Sequence, residues 1–116
     1  MTIVVFDAAQ LALKDMSRGY IDAMVVQNPY QMGYLGTRLM KALAEQDHAV
    51  IKEMYPDYDE TTGEISAGGD VYTTDLRVVV PDDSSPLKPE MFEANTKFFT
   101  YAEFSEWLAE RKLTGS

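Results

Sequence analysis

Apolar residues near the start of the chain fall into two alternating periodicities. Ile3, Val4, Val5 and Phe6 form a continuous, largely β-branched run, which suits a strand buried on both faces of a parallel sheet. Asp7 follows and is expected to cap a helix, with Gln10 three residues on completing a capping box. Ala9, Ala12, Leu13 and Met16 then keep i, i+3, i+4, i+7 spacing, one apolar face of a helix. Gly19 ends that helix as a C′ glycine. Tyr20 to Val26 reads as a second strand, interrupted only by Asp22. Asn28 is placed to cap a second helix, with Pro29 at its first position and Gln31 in capping-box spacing. Met32, Leu35, Leu39 and Leu43 form its stripe, and the helix is expected to run to about Asp47.

The order β-α-β-α implies parallel strands joined by crossovers. Beyond it the pattern is less regular. Residues 49–55 read as a short strand or loop, and Asp57 to Gly69 as polar turns. Val71 to Val80 reads as a strand with a strong Arg77-Val78-Val79-Val80 end. Residues 81–89 carry three prolines and a Ser-Ser pair and read as loop. Glu90 to Asn95 fits one helical turn. Thr100 to Arg111 is an amphipathic helix: Thr100 caps it, Glu103 stands at N3, and Tyr101, Phe104 and Leu108 make the stripe, with Trp107 beside it. Leu113 to Ser116 is tail.

Composition narrows the function classes. The 116 residues suffice for one domain with a modest core. With 10 basic against 19 acidic residues the net charge is −9, which argues against nucleic acid as a partner, since that affinity comes largely from neutralising phosphates. The same charge disfavours an anionic membrane surface. The chain has no cysteine, so disulfides and thiolate metal sites are excluded. Apolar runs such as Ala23 to Val26 are too short to cross a bilayer.

Candidate chemistry lies at the two strand ends. In parallel α/β sheets, side chains at the carboxyl ends of strands face the ligand crevice. Asp7 there can accept two hydroxyl hydrogen bonds, and the Gln27 amide supplies both a donor and an acceptor. Such a pair suits a polyol and brings no nucleophile. The simpler reading makes Asp7 a helix cap and Gln27 a polar strand end.

The stretch FDAA…LKDMSRGYIDAMVVQNPYQMGYLG resembles the closing part of the type I periplasmic sugar-binding proteins, the ribose/galactose-type receptors of ABC importers. Shared features are a strand ending in Phe-Asp, a helix, a glycine, an IDA-V-Q strand, and a helix with Pro and Gly. The twenty residues from Asp7 to Gln27 match that family's interval between a sugar-binding aspartate and a sugar-binding glutamine. The match covers about residues 3–45, and Thr74 to Val80 resembles the late strand that follows. The resemblance implies a partial, Rossmann-like parallel α/β sheet with flanking helices, a fragment of a two-lobe fold. It implies that Asp7 and Gln27 bind sugar and that Asn28 and Pro29 mark a crossing between lobes. Residues 1–27 would form a strand-helix-strand unit of the second lobe, 28–80 the crossing helix and later strands, and 81–116 a C-terminal extension.

A complete receptor of that family is more than twice as long, so this chain is expected to carry only part of the site. The resemblance further implies a non-catalytic solute-binding component without cofactor, periplasmic or extracytoplasmic, presented to an inner-membrane ABC permease through its full-length parent. Separated from that parent, open strand edges favour self-association. The effector-binding domain of a LacI-type regulator shares the fold and is the alternative; it would need a helix-turn-helix headpiece. An enzyme with Asp7 as general base lacks a partner group in the sequence.

Other features read more plainly. Asp57, Asp59, Glu60 and Glu64 around Gly63 resemble a calcium loop faintly, but the sixth position from Asp57 is Thr62 instead of glycine; a solvated turn explains them. His48, the single histidine, reads as a surface residue. Met16, Met24, Met32 and Met40 are spaced by eight and read as core filling. Phe104 and Trp107 read as core and not as a sugar platform.

Overall fold

A computed structural model describes residues 1–115, leaving Ser116 of the expected tail outside the described residues. The elements are β1 (Val4–Phe6), α1 (Gln10–Ser17), β2 (Ala23–Val26), α2 (Pro29–Glu45), α3 (His48–Met54), β3 (Leu76–Val80), a 3-10 turn (Pro89–Met91), β4 (Thr96–Thr100) and α4 (Tyr101–Glu110). The chain is α/β, and it divides into two compact units, residues 1–29 with 75–115, and residues 30–74.

The first unit is a four-stranded sheet in the order β1-β2-β3-β4. β1 pairs with β2 in parallel, and β3 with β4 in parallel, but β2 and β3 are antiparallel. The expectation of an all-parallel sheet is therefore corrected. The register shows the cause: Val26, the last residue of β2, pairs with Arg77 near the start of β3, so the chain re-enters the sheet at the end where it left. Val5, Met24, Val79 and Phe99 stand in one row across all four strands. That row faces α1 and α4, and with Ala8, Met16, Ile21, Val26, Phe104 and Leu108 it forms the core.

The first helix starts later than its capping pattern suggests. Its N-cap is Ala9, with no side-chain cap, because Asp7 stands in the left-handed region (φ 66°) while its N–H still bonds to the Val25 carbonyl at 2.9 Å. Asp7 thus belongs to the end of the β1–β2 ladder and cannot cap α1. The C-terminus follows expectation. Gly19 has φ 78°, its N–H bonds to Met16 O and that of Tyr20 to Asp15 O, the paired bonds of a Schellman cap. α4 also follows expectation: the Thr100 hydroxyl accepts from Glu103 N, and the Glu103 carboxylate accepts from Thr100 N at 2.8 Å.

β4 has no counterpart in the sequence reading. Its Phe98 and Phe99 are adjacent and point to opposite faces: Phe99 packs with Phe104 and Trp107, Phe98 with Phe92. The strand expected over residues 71–80 shrinks to β3, and the helical turn near 90–95 is the 3-10 turn at Pro89–Met91.

In the second unit Ala42, Ile51 and Tyr58 form a small core with Leu39, Val50, Tyr55 and Ile65 around it. Residues expected as strand or loop are helix α3. Gln46, with φ 56°, breaks α2, and Asp47 starts α3 by accepting from Val50 N. The buried stripe of α2 centres on Leu39 and Ala42, so Leu43 and Met40 fall outside it and are exposed. Met32 is also exposed, at the rim of a cavity of about 240 Å³ lined with Leu35, Leu39, Met54 and Tyr72. Of the four evenly spaced methionines, only Met16 and Met24 fill core. Spacing by eight tracks a helix face, but α2 is too lightly covered to bury its share.

Candidate functional site

β1 and β2 run side by side and in parallel, with Phe6 opposite Val25. Their carboxyl ends therefore emerge together, and each ends in a candidate residue. Asp7 and Gln27 are both exposed. The sequence pattern brings them to one sheet edge, as the parallel pairing requires. The carboxylate offers acceptors, and the amide a donor and an acceptor.

Two backbone features hold this edge. The Asp7 peptide is pinned by its bond to Val25 while its φ is positive. Left-handed backbone is unfavourable for most side chains, though aspartate is among the more tolerant, and such conformations gather at functional sites. The Gln27 carbonyl accepts a hydrogen bond from Nη1 of Arg77 at 3.3 Å. Asn28 and Pro29 come next, and Pro29 opens α2 as expected. The first unit ends at Pro29 and resumes at Asp75, so the proposed crossing residues stand at a unit boundary in the chain.

Arg77 is the residue that sequence reading missed. It is 7% exposed, and its guanidinium lies 4.7 Å from the centre of the Trp107 ring. Arg111 approaches the same ring at 4.4 Å and donates to the Trp107 carbonyl at 3.2 Å. Burial lowers the Arg77 pKa, Arg111 lowers it further, and Asp75 opposes both. The available signal was one charged residue inside the apolar run Leu76 to Val80. Trp107 stacks on Phe104, with ring centres 5.6 Å apart and planes at 9°. Phe104 is fully buried, so this pair braces the core, as expected, and offers no open platform.

The acidic 57–64 segment closes on itself. Asp59 accepts from Thr61 N at 2.7 Å and Thr62 N at 3.1 Å, and those amides hold its carboxyl below the ordinary range. Asp59 N bonds to Glu64 O, and Tyr58 bridges Ile65. The segment is a hairpin-like turn. Among the described residues no group of three His, Asp or Glu side chains is arranged to hold a metal ion. His48 bonds through Nδ1 to the Tyr58 hydroxyl at 2.8 Å; it is exposed and ties α3 to that turn. A cavity of about 320 Å³, lined by Val4, Asp22, Ala23, Asp82 and Leu87, opens at the opposite end of the sheet from Asp7 and Gln27. No described helix is long and apolar enough to cross a membrane.

Comparison with known proteins adds no relative: no family model fits the sequence, and no curated protein or solved structure is significantly similar to it.

Proposed function

We propose that this chain binds a sugar, as part of the solute-binding component of an ABC importer of the ribose/galactose type. Asp7 and Gln27 are its ligands, and the binding is non-catalytic. The observation that carries the reading is the emergence of both residues, exposed, from neighbouring parallel strands at one end of the sheet. The resemblance of residues 3–45 to the closing part of such receptors supports it, as does the positive φ of Asp7. Asn28 and Pro29 then carry the crossing between lobes, and the parent protein engages its permease from outside the cytoplasm. In this reading the chain supplies two ligands, and the other lobe of the parent supplies the aromatic walls.

Isothermal titration with ribose, xylose, glucose and galactose tests the proposal, on this chain and on the protein encoded by its complete gene. Heat of binding to one of these sugars is expected for the complete protein. It should fall at least tenfold in affinity with Asp7→Ala or Gln27→Ala. Sugar binding that both substitutions leave unchanged overturns the site.

A further inference from the structure

Arg77 is an expensive residue to place where it stands. A guanidinium carries five N–H donors and a charge that cannot be shed, and burying it is costly unless it is paired. Yet among the described residues no carboxylate lies within ion-pair distance of it. Asp75 attracts it electrostatically and forms an ion pair with Lys97 at 3.4 Å. Nε of Arg77 is buried and has no hydrogen-bond partner. The contact with the Trp107 ring offsets part of that cost, while the unpartnered Nε leaves part of it uncompensated.

What an apolar residue could not do is hold the Gln27 carbonyl. Gln27 lies one residue beyond the last ladder pair, Val26 with Arg77. Nη1 takes up the Gln27 carbonyl at that point, while the guanidinium face rests on Trp107. Trp107 is itself fixed by its stack on buried Phe104 and by Arg111. A continuous path of contacts thus runs from the core of α4 to the peptide that presents Gln27. We infer that Arg77 is a positioning residue: it sets the backbone of Gln27 so that the amide side chain meets the ligand beside Asp7. The inference rests on the sugar-binding reading for its ligand, though not for the placement of Gln27.

Two variants test it, Arg77→Met, which keeps the packing on Trp107, and Arg77→Lys, which keeps the charge but cannot fork. The first measurement uses no ligand: the backbone resonances of Gln27 and Asn28 by NMR. In Arg77→Met they should shift, while the thermal midpoint stays at or above that of the wild type. The second is sugar affinity by titration of the complete protein, expected to fall about tenfold in Arg77→Met and to recover in part in Arg77→Lys. A merely structural role would instead lower the midpoint and leave affinity of the folded fraction unchanged. Unmoved Gln27 and Asn28 resonances overturn the inference, as do shifted resonances with affinity within twofold of wild type. Should Arg77→Met not fold, Arg77→Leu, which likewise has no donor for the Gln27 carbonyl, decides by the same two readouts. If the wild type binds none of the sugars, the sugar reading fails by itself, and the resonances alone decide whether Arg77 sets Gln27.

Discussion

The N–H of Asp7 donates to the Val25 carbonyl at 2.9 Å although Asp7 has left-handed backbone, φ 66°. The bond extends the β1–β2 ladder by one step and turns the chain away from the sheet before α1 begins. Backbone shape and side-chain chemistry are therefore separate demands at this position, and substitutions can separate them. Asp7→Val introduces a branched residue where φ is positive and should cost about 1–2 kcal/mol in urea unfolding. Asp7→Gly meets the backbone demand and should stay within about 0.5–1 kcal/mol of wild type, because glycine adopts this region freely but loses more entropy. If Asp7 is the sugar ligand proposed above, both variants also lower sugar affinity in the titration. Equal stabilities for the two variants would refute the strain at Asp7.

Gly19 gives the parallel case at a helix end. Its φ of 78° and the bonds from Gly19 N and Tyr20 N to Met16 O and Asp15 O close α1. No atom stands within 4 Å of an added Cβ, so only conformation is at stake. Gly19→Ala should destabilise the protein by about 1 kcal/mol, read as a lower urea midpoint at unchanged slope.

Methionines of one chemistry should differ sharply in weight. Met24 is fully buried in the sheet core, whereas Met40 is 64% exposed on α2. Met24→Ala should cost about 2–5 kcal/mol through lost burial and a residual cavity. Met40→Ala should change stability by less than about 0.5 kcal/mol. Matched thermal or urea unfolding of the two variants checks the contrast.

Glu103 gives α4 a pH dependence of known sign. The Thr100 N–H and hydroxyl hold its carboxyl below the ordinary value of 4.5. A carboxylate depressed in the folded state contributes stability that is complete above the unfolded value and is lost as pH falls through the lower folded value. The thermal midpoint should therefore drop between neutral pH and pH 3, and this drop should be shallower in Glu103→Gln. Identical midpoint-against-pH curves for the two proteins would show that the capping box carries no charge term.

Local chemistry was readable wherever one residue settles a local choice. Gly19 closes α1 because only an unbranched backbone enters the left-handed region freely, and Thr100 with Glu103 starts α4 because both groups satisfy amides within one turn. The apolar runs at 3–6 and 23–26 mark β1 and β2, and their parallel pairing through a short helix brings Asp7 and Gln27 to one edge. Asp7 misled as a cap because its residue type suits both a cap and a left-handed strand end, and pairing with Val25 selected the second. β4 was hidden because Thr96 to Thr100 gains its strand conformation from five pairs with β3 rather than from its own pattern.

Sequence by itself determined the α/β class, the Gly19 end of α1, the capping-box start of α4 and the polar tips of β1 and β2, since these depend on neighbours within a few residues. Tertiary structure alone decided that β3 runs against β2, which methionines are buried, and that Arg77 grips the Gln27 carbonyl across fifty positions of chain. Those outcomes depend on which distant segments share a surface, a free-energy balance of packing and desolvation that no local pattern encodes.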